Sequence, residues 1–172
     1  MKSEFHDKNL HAVTSIESLP DIKFDFILMM DVLEHIEDDK AFLAKIVQER
    51  LAGNGFVFIT VPAFMSLYSL HDKELRHFRR YNHKQLNTLI ENCLLKEFYW
   101  SYFYFSLVFA RLLTKNKTEN LSSWRKDEQN FVTRYFVAFL NADFVFCRLL
   151  SKIGIHIPGL SLMCVCKKEK VN

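Results

Sequence analysis

The 172-residue chain has few glycines and prolines, four and three, and the glycines stand at 53, 55, 154 and 159. These positions are too scattered to form a glycine-rich turn opening a helix, so they read as turn and cap residues. Four cysteines, Cys93, Cys147, Cys164 and Cys166, include no C-x-x-C pair. That excludes a zinc-ribbon or thioredoxin-type motif, and Cys164 and Cys166 should share one face of a strand. Net charge is only +3, from 23 basic and 20 acidic residues, which gives no electrostatic case for nucleic acid as a partner. The first residues, Met1 to Asp7, hold no apolar stretch resembling a signal peptide, so a cytoplasmic setting with free thiols is expected. The aromatic, uncharged run Phe98 to Ala110 is shorter than the roughly 20 residues a spanning helix needs, and no transmembrane segment is expected. Repeats and low-complexity stretches are missing too.

What is present is apolar and aromatic. Hydrophobic residues make up 49% of the chain and aromatic ones 15%, with 17 phenylalanines, enough for one compact domain with a substantial core. Phe24 to Met30 reads as a parallel strand covered on both faces. A helix opens at Asp38 and Asp39, whose carboxylates suit its N-terminus. Its buried stripe is Phe42, Leu43, Ile46, Val47 and Leu51, and Gly53 and Gly55 should stop it. Phe56 to Val61 is a second apolar strand, closed by Pro62. After the long polar and aromatic loop from Ala63 to Tyr81, Asn82 and Gln85 form a capping box for a helix with Leu86, Leu89, Ile90, Cys93 and Leu94 on one face. Phe98 to Phe105 reads as a strand passing into a helix over Leu107 to Leu113, and Lys115 to Glu128 as a linker. Phe131 to Ile153 carries an apolar stripe with Tyr135, Phe136, Phe139, Leu149 and Leu150, predicting a long helix ended by Gly154 and Pro158. Ser161 to Cys166 is the last strand. Alternating strands and helices define an α/β fold.

The chemistry concentrates in three places. The first strand ends in Asp31-Val32-Leu33-Glu34-His35, where an open parallel sheet presents polar residues to a ligand crevice; Asp31 and Glu34 equally suit the cap of a turn. Downstream stand Ile59-Thr60-Val61-Pro62-Ala63, then His71-Asp72, then His77-Phe78-Arg79-Arg80-Tyr81. Paired arginines beside a histidine suit a carboxylate or phosphate, although a solvated basic face or ion pairs with Asp72 and Glu74 fit the same residues. A cluster of His35, His71, Asp72 and His77 matches no metal-ligand spacing, and no metal is expected.

Together, D-V-L-E-H-I-E-D-D, I-T-V-P-A, H-D and H-F-R-R-Y, in this order and spacing, resemble bacterial class I S-adenosylmethionine-dependent methyltransferases related to those of quinone and sugar biosynthesis. The resemblance covers Phe24 to Leu94 and returns in the ending I-P-G-L-S-L-M-C-V-C-K-K. It implies a partial Rossmann-like fold in which Leu10 to Thr14, Phe24 to Met30 and Phe56 to Val61 are the third, fourth and fifth of seven strands. Counterparts of the first two strands and of the glycine-rich cofactor turn are then missing. One incomplete domain follows: sheet, helices and motif loop over 1–97, an aromatic helical excursion over 98–157, and the last strand and tail over 158–172.

By the same resemblance, Ser15 to Glu17 would lie near the adenine of S-adenosylmethionine, and Met30, Asp31, Val32 and Leu33 along its methionine side. His35 would act as base or acceptor-positioning group. Glu34, His71, Asp72, His77, Arg79, Arg80 and Tyr81 would bind a small methyl acceptor, anionic or lipid-linked, under a lid formed by the loop after the fifth strand. The expected activity is methyl transfer by the complete protein; the alternative is a non-catalytic interaction or dimerisation module. The aromatic excess has three readings: internal packing, a peripheral membrane surface, or cover for the absent strands. An exposed edge on the third strand should favour self-association.

Overall fold

A computed structural model of the protein describes residues 16–19, 21–114 and 131–169. In chain order these form β1 (Phe24–Met30), α1 (Asp39–Arg50), β2 (Leu51–Pro62), α2 (Leu70–Glu74), α3 (His83–Asn92), β3 (Leu95–Phe103), α4 (Phe105–Thr114), α5 (Phe131–Lys152) and β4 (Ser161–Lys168). The four strands make one sheet in the order β1-β2-β4-β3. β1 and β2 run parallel, with Met29 beside Ile59 and Met30 beside Thr60. β4 is antiparallel to both neighbours, pairing Cys164 with Ile59 on one side and with Trp100 on the other.

Period-two alternation divides the sheet into two unlike faces. Val57, Ile59 and Val61 of β2 and Leu162, Cys164 and Cys166 of β4 point to one side and are buried. Leu43, Ile46 and Val47 of α1 and Leu86, Leu89 and Ile90 of α3 complete that core. Both helices start as their sequence dictates: the Asp38 carboxylate accepts from Ala41 N, and Asn82 and Gln85 cap each other reciprocally. Cys164 and Cys166 share the core face as expected, with Sγ atoms 3.3 Å apart.

The other face is covered only in part. α5 packs on β3, leaving Phe26, Leu28 and Met30 of β1 more than half exposed. β1 is therefore covered on one face, not two. Among the described residues it is also one of the two edges of the sheet, β3 being the other; the edge expected from the sequence, Leu10 to Thr14, lies outside the described residues, as does the linker Lys115 to Glu128.

Three further differences have physical causes. Gly53 and Gly55 do not end α1. The helix stops at Arg50, Leu51 already pairs with Phe24, and the glycines sit in a bulge that lets Phe56 pair with Phe26. Strand β3 starts at Leu95, before the aromatic run, because Leu94 turns the chain with φ 60°. α5 has nearly the expected bounds but the opposite facing. Tyr135, Phe136, Phe139 and Leu149 are exposed, while Asp143, Cys147 and Ser151 are buried. Asp143 faces inward because its carboxylate accepts from the amides of Phe105 and Ser106 and from the Ser106 hydroxyl, satisfying the free N–H groups at the start of α4. Among the described residues no helix is long and apolar enough to cross a membrane.

Candidate functional site

β1 and β2 end side by side, and the chain leaves each through a sharp turn. Asp31 adopts φ 52°, a left-handed conformation that aspartate tolerates better than most side chains. Its amide donates to the carbonyl of Thr60, 3.0 Å away, and the Thr60 hydroxyl donates to the Asp31 carboxylate at 3.3 Å. A short 3-10 turn, Leu33–His35, follows. Leu33 and Glu34 face inward, and His35 outward. After β2, Phe64, with φ 58°, sends the chain over the strand ends and into α2.

Asp72 of α2 is the hub of this region. Its side chain is wholly buried and carries three cationic or polar partners: Arg80 Nε at 2.8 Å, Arg111 of α4 at 2.8 Å and His77 Nδ1 at 3.0 Å. Ser69 N donates to the same carboxylate at 2.8 Å. Burial would raise the Asp72 pKa, but the hydrogen bond and charge of Arg80 and the bond from His77 overcome it and bring the value down to about 2. Arg80 also donates to the carbonyl of Ala63 at 3.1 Å.

Glu34 is a contrasting carboxyl. It is 1% exposed, and its Oε2 has no hydrogen-bond partner among the described residues. Burial, helped by the negative charge of Asp31, pushes its pKa up to about 7, against a backbone hydrogen bond that favours the ion. Its carbonyl accepts from Phe78 N at 2.8 Å, tying the turn to the H-F-R-R-Y segment. His35 and His77 meet edge to face, with centroids 4.6 Å apart.

These side chains line an open cavity of about 340 Å³, bounded by Asp31, Glu34, His35, His71, His77, Arg80 and Arg111, with Pro62, Leu75, Leu160 and Ser161. The structure thus gathers Asp31, Glu34, His35, His71, His77 and Arg80 of the sequence-based candidates, with Asp72 beneath them. Arg79 and Tyr81 lie elsewhere. Arg79 pairs with Asp39 of α1 at 2.8 Å, and the Tyr81 hydroxyl donates to the same carboxylate at 2.6 Å, so both fasten the loop to α1. Met30 is 60% exposed, Val32 is half-buried, and Leu33 belongs to the core. Glu17 pairs with Lys45 of α1 at 3.1 Å and does not line the cavity. One ligand atom each from Glu34, His35 and His77 falls within 4.8 Å of the others, a different trio from the four residues weighed in the sequence.

Arg111 is the residue sequence reasoning missed. Its signal was its isolation: it is the one charge between Phe98 and Thr114. A lone cation in such a run is retained where a buried anion awaits it.

No protein family's sequence profile matches the chain, and no curated protein matches it. Solved structures do. A SAM-dependent methyltransferase from Archaeoglobus fulgidus is 19% identical over 88% of this chain and 62% of its own length, with a TM-score of 0.46. A chain in the complex of the Haloferax volcanii Trm112 methyltransferase activator with a methyltransferase is 9% identical over 90% of this chain and 58% of its own, with a TM-score of 0.50. Phosphoethanolamine N-methyltransferase 2 from Haemonchus contortus, solved with S-adenosyl-L-methionine, is 15% identical over 85% of this chain and 33% of its own, with a TM-score of 0.43. The chain therefore spans less than two thirds of the length of each. At such identities the likeness is one of fold, carried by the Haloferax match: an α/β sheet with helices, part of the Rossmann-like methyltransferase arrangement.

Proposed function

We propose that this chain forms part of an S-adenosylmethionine-dependent methyltransferase of the D-V-L-E-H type, acting on a small anionic acceptor. The observation that carries this reading is the cavity at the carboxyl ends of β1 and β2, where a parallel sheet takes its ligands. There Arg80 and Arg111 share the single charge of Asp72, and Glu34 tends to the neutral acid near neutral pH. The two guanidinium groups offer paired N–H donors that suit a carboxylate or phenolate.

Met30 and Asp31, exposed at the end of β1, are open to a ligand and would hold the methionine side of the cofactor with the half-buried Val32, while Leu33, wholly buried, supports them from the core. Glu17, already paired with Lys45, fits an adenine role less well. When bound, S-adenosylmethionine supplies an electrophilic methyl group. The chain's own residues then orient the acceptor: Arg80, Arg111 and His71 hold its anionic end, and His35, exposed at the cavity mouth, positions its reacting atom. The test is transfer of radiolabelled methyl from S-adenosylmethionine to a panel of small carboxylates and phenols. Labelling that falls at least tenfold in Arg80→Ala supports the reading, and labelling of neutral amines alone counters it.

A second reading has its own observation. Among the described residues the edge of β1 has no partner strand, and together with the exposed row Phe26, Leu28 and Met30 it favours an interaction module pairing through that edge. Concentration-dependent light scattering with no cofactor binding supports this alternative.

A further inference from the structure

We infer that His77 is the proton-accepting group of the cavity, held by Asp72 in the one tautomer that leaves Nε2 free for the acceptor. This rests on the methyl-transfer reading for its purpose, but its geometry stands apart from it. The Asp72 carboxylate is acceptor-only when ionised, so the imidazole nitrogen 3.0 Å from it, Nδ1, must carry the hydrogen. Neutral His77 then presents an unprotonated Nε2, and this side chain lines the cavity.

The backbone of His77 is anchored on both sides: its N donates to the Asp72 carbonyl at 2.8 Å, and its carbonyl accepts from the Tyr68 hydroxyl at 2.7 Å. The ring itself is oriented by the Asp72 carboxylate at Nδ1 and by its edge contact with His35, a preorganised base and not a surface histidine. His35 lacks such a setting: it is exposed on a 3-10 turn.

The charges around His77 set when it can work. Asp72 of α2 favours the imidazolium, while Arg80 of the following segment and His35 of the β1 turn oppose it. Glu34 of that turn and Arg111 of α4 complete the surroundings. Burial is the largest influence and moves the pKa of His77 down from 6.5, with Asp72 pulling against it. The ring is therefore mainly neutral at pH 7. In the step itself the acceptor's O–H or N–H bond breaks, its electron pair stays on the acceptor, and the proton goes to Nε2. The new imidazolium is stabilised by Asp72, which keeps its own charge. His35, in edge contact at 4.6 Å, lies on the way to solvent for the proton's departure.

The experiment is a long-range proton–nitrogen spectrum of the full chain with labelled histidine, without cofactor, His77 being assigned by the signal lost in His77→Gln. The expected result is a protonated Nδ1 and an unprotonated Nε2 at pH 7.5, with a titration midpoint below 6.5, so that neutral rings outnumber charged ones at least about threefold at pH 7. His77 in peptide maps should also react with diethylpyrocarbonate at a rate that follows this titration. An Nε2–H tautomer, an imidazolium at pH 7, or a metal ion bound stoichiometrically to His77 in the purified protein would overturn the assignment. Asp72→Asn should mix the tautomers; if that variant does not fold, the wild-type tautomer alone decides. Failure to bind S-adenosylmethionine would strike the methyl-transfer reading and leave these measurements standing.

Discussion

Replacing Glu34 by glutamine isolates the cost of burying a carboxylate at the cavity. Glu34 is 1% exposed and its carboxyl titrates near 7 in the folded protein against an ordinary value of 4.5. Below pH 4.5 the group is protonated folded or unfolded, and it adds no pH dependence. Between 4.5 and about 7 the unfolded chain ionises while the folded one holds its proton, so stability falls as pH rises; above that window the penalty is complete. A displacement of this size is worth roughly 3 kcal/mol. Glutamine keeps the shape and does not titrate. Urea unfolding of both proteins at pH 4, 5.5 and 8 should show the stability of Glu34→Gln relative to wild type growing by about 3 kcal/mol across the series, with unchanged denaturant slopes. A difference constant to within about 1 kcal/mol would refute the reasoning, because Glu34 would then be solvated or paired when folded.

The Asp72 hub gives the opposite sign. Its stabilising contribution is full above pH 3.8 and is lost as pH falls through about 2, and Asp72→Ala, which strands Arg80 and Arg111, should cost about 3–5 kcal/mol in urea unfolding; a loss under 1 kcal/mol would show the arginines solvated. At Gly159 a Cβ would lie 2.2 Å from the carbonyl oxygen of Phe103, so Gly159→Ala should force β3 and β4 apart locally and lower the melting temperature by several degrees. An unchanged melting temperature would mean the two strands separate freely there. Leu28→Lys, on the 59% exposed side of β1, should abolish self-association seen by light scattering while leaving thermal stability within about 0.5 kcal/mol; persistent association would place the contact elsewhere.

The elements legible from sequence were those whose signals are local. The Asn82 and Gln85 capping box, the apolar run of β1 and the length of α5 each follow from neighbours in the chain. So does the placing of Asp31, Glu34 and His35 at a strand end. What was not legible depends on partners distant in sequence. The inward face of α5 is set by Asp143 capping another helix, which hydrophobic periodicity reads backwards. The glycines after α1 serve a bulge whose need arises only from pairing with β1. Within H-F-R-R-Y the two arginines looked equivalent, yet Arg79 reaches Asp39 and Arg80 reaches Asp72. Arg111 joined the site only because α4 folds back over α2, a contact separated by 39 residues.

Amide shift mapping with S-adenosylhomocysteine tests the central reading most directly, since it detects weak binding and locates it. Saturable shifts centred on Met30, Asp31, Val32 and Leu33 are the expected result. Shifts that stay at zero there through millimolar ligand, or that centre on another part of the chain, would contradict the assignment of this strand end to the cofactor.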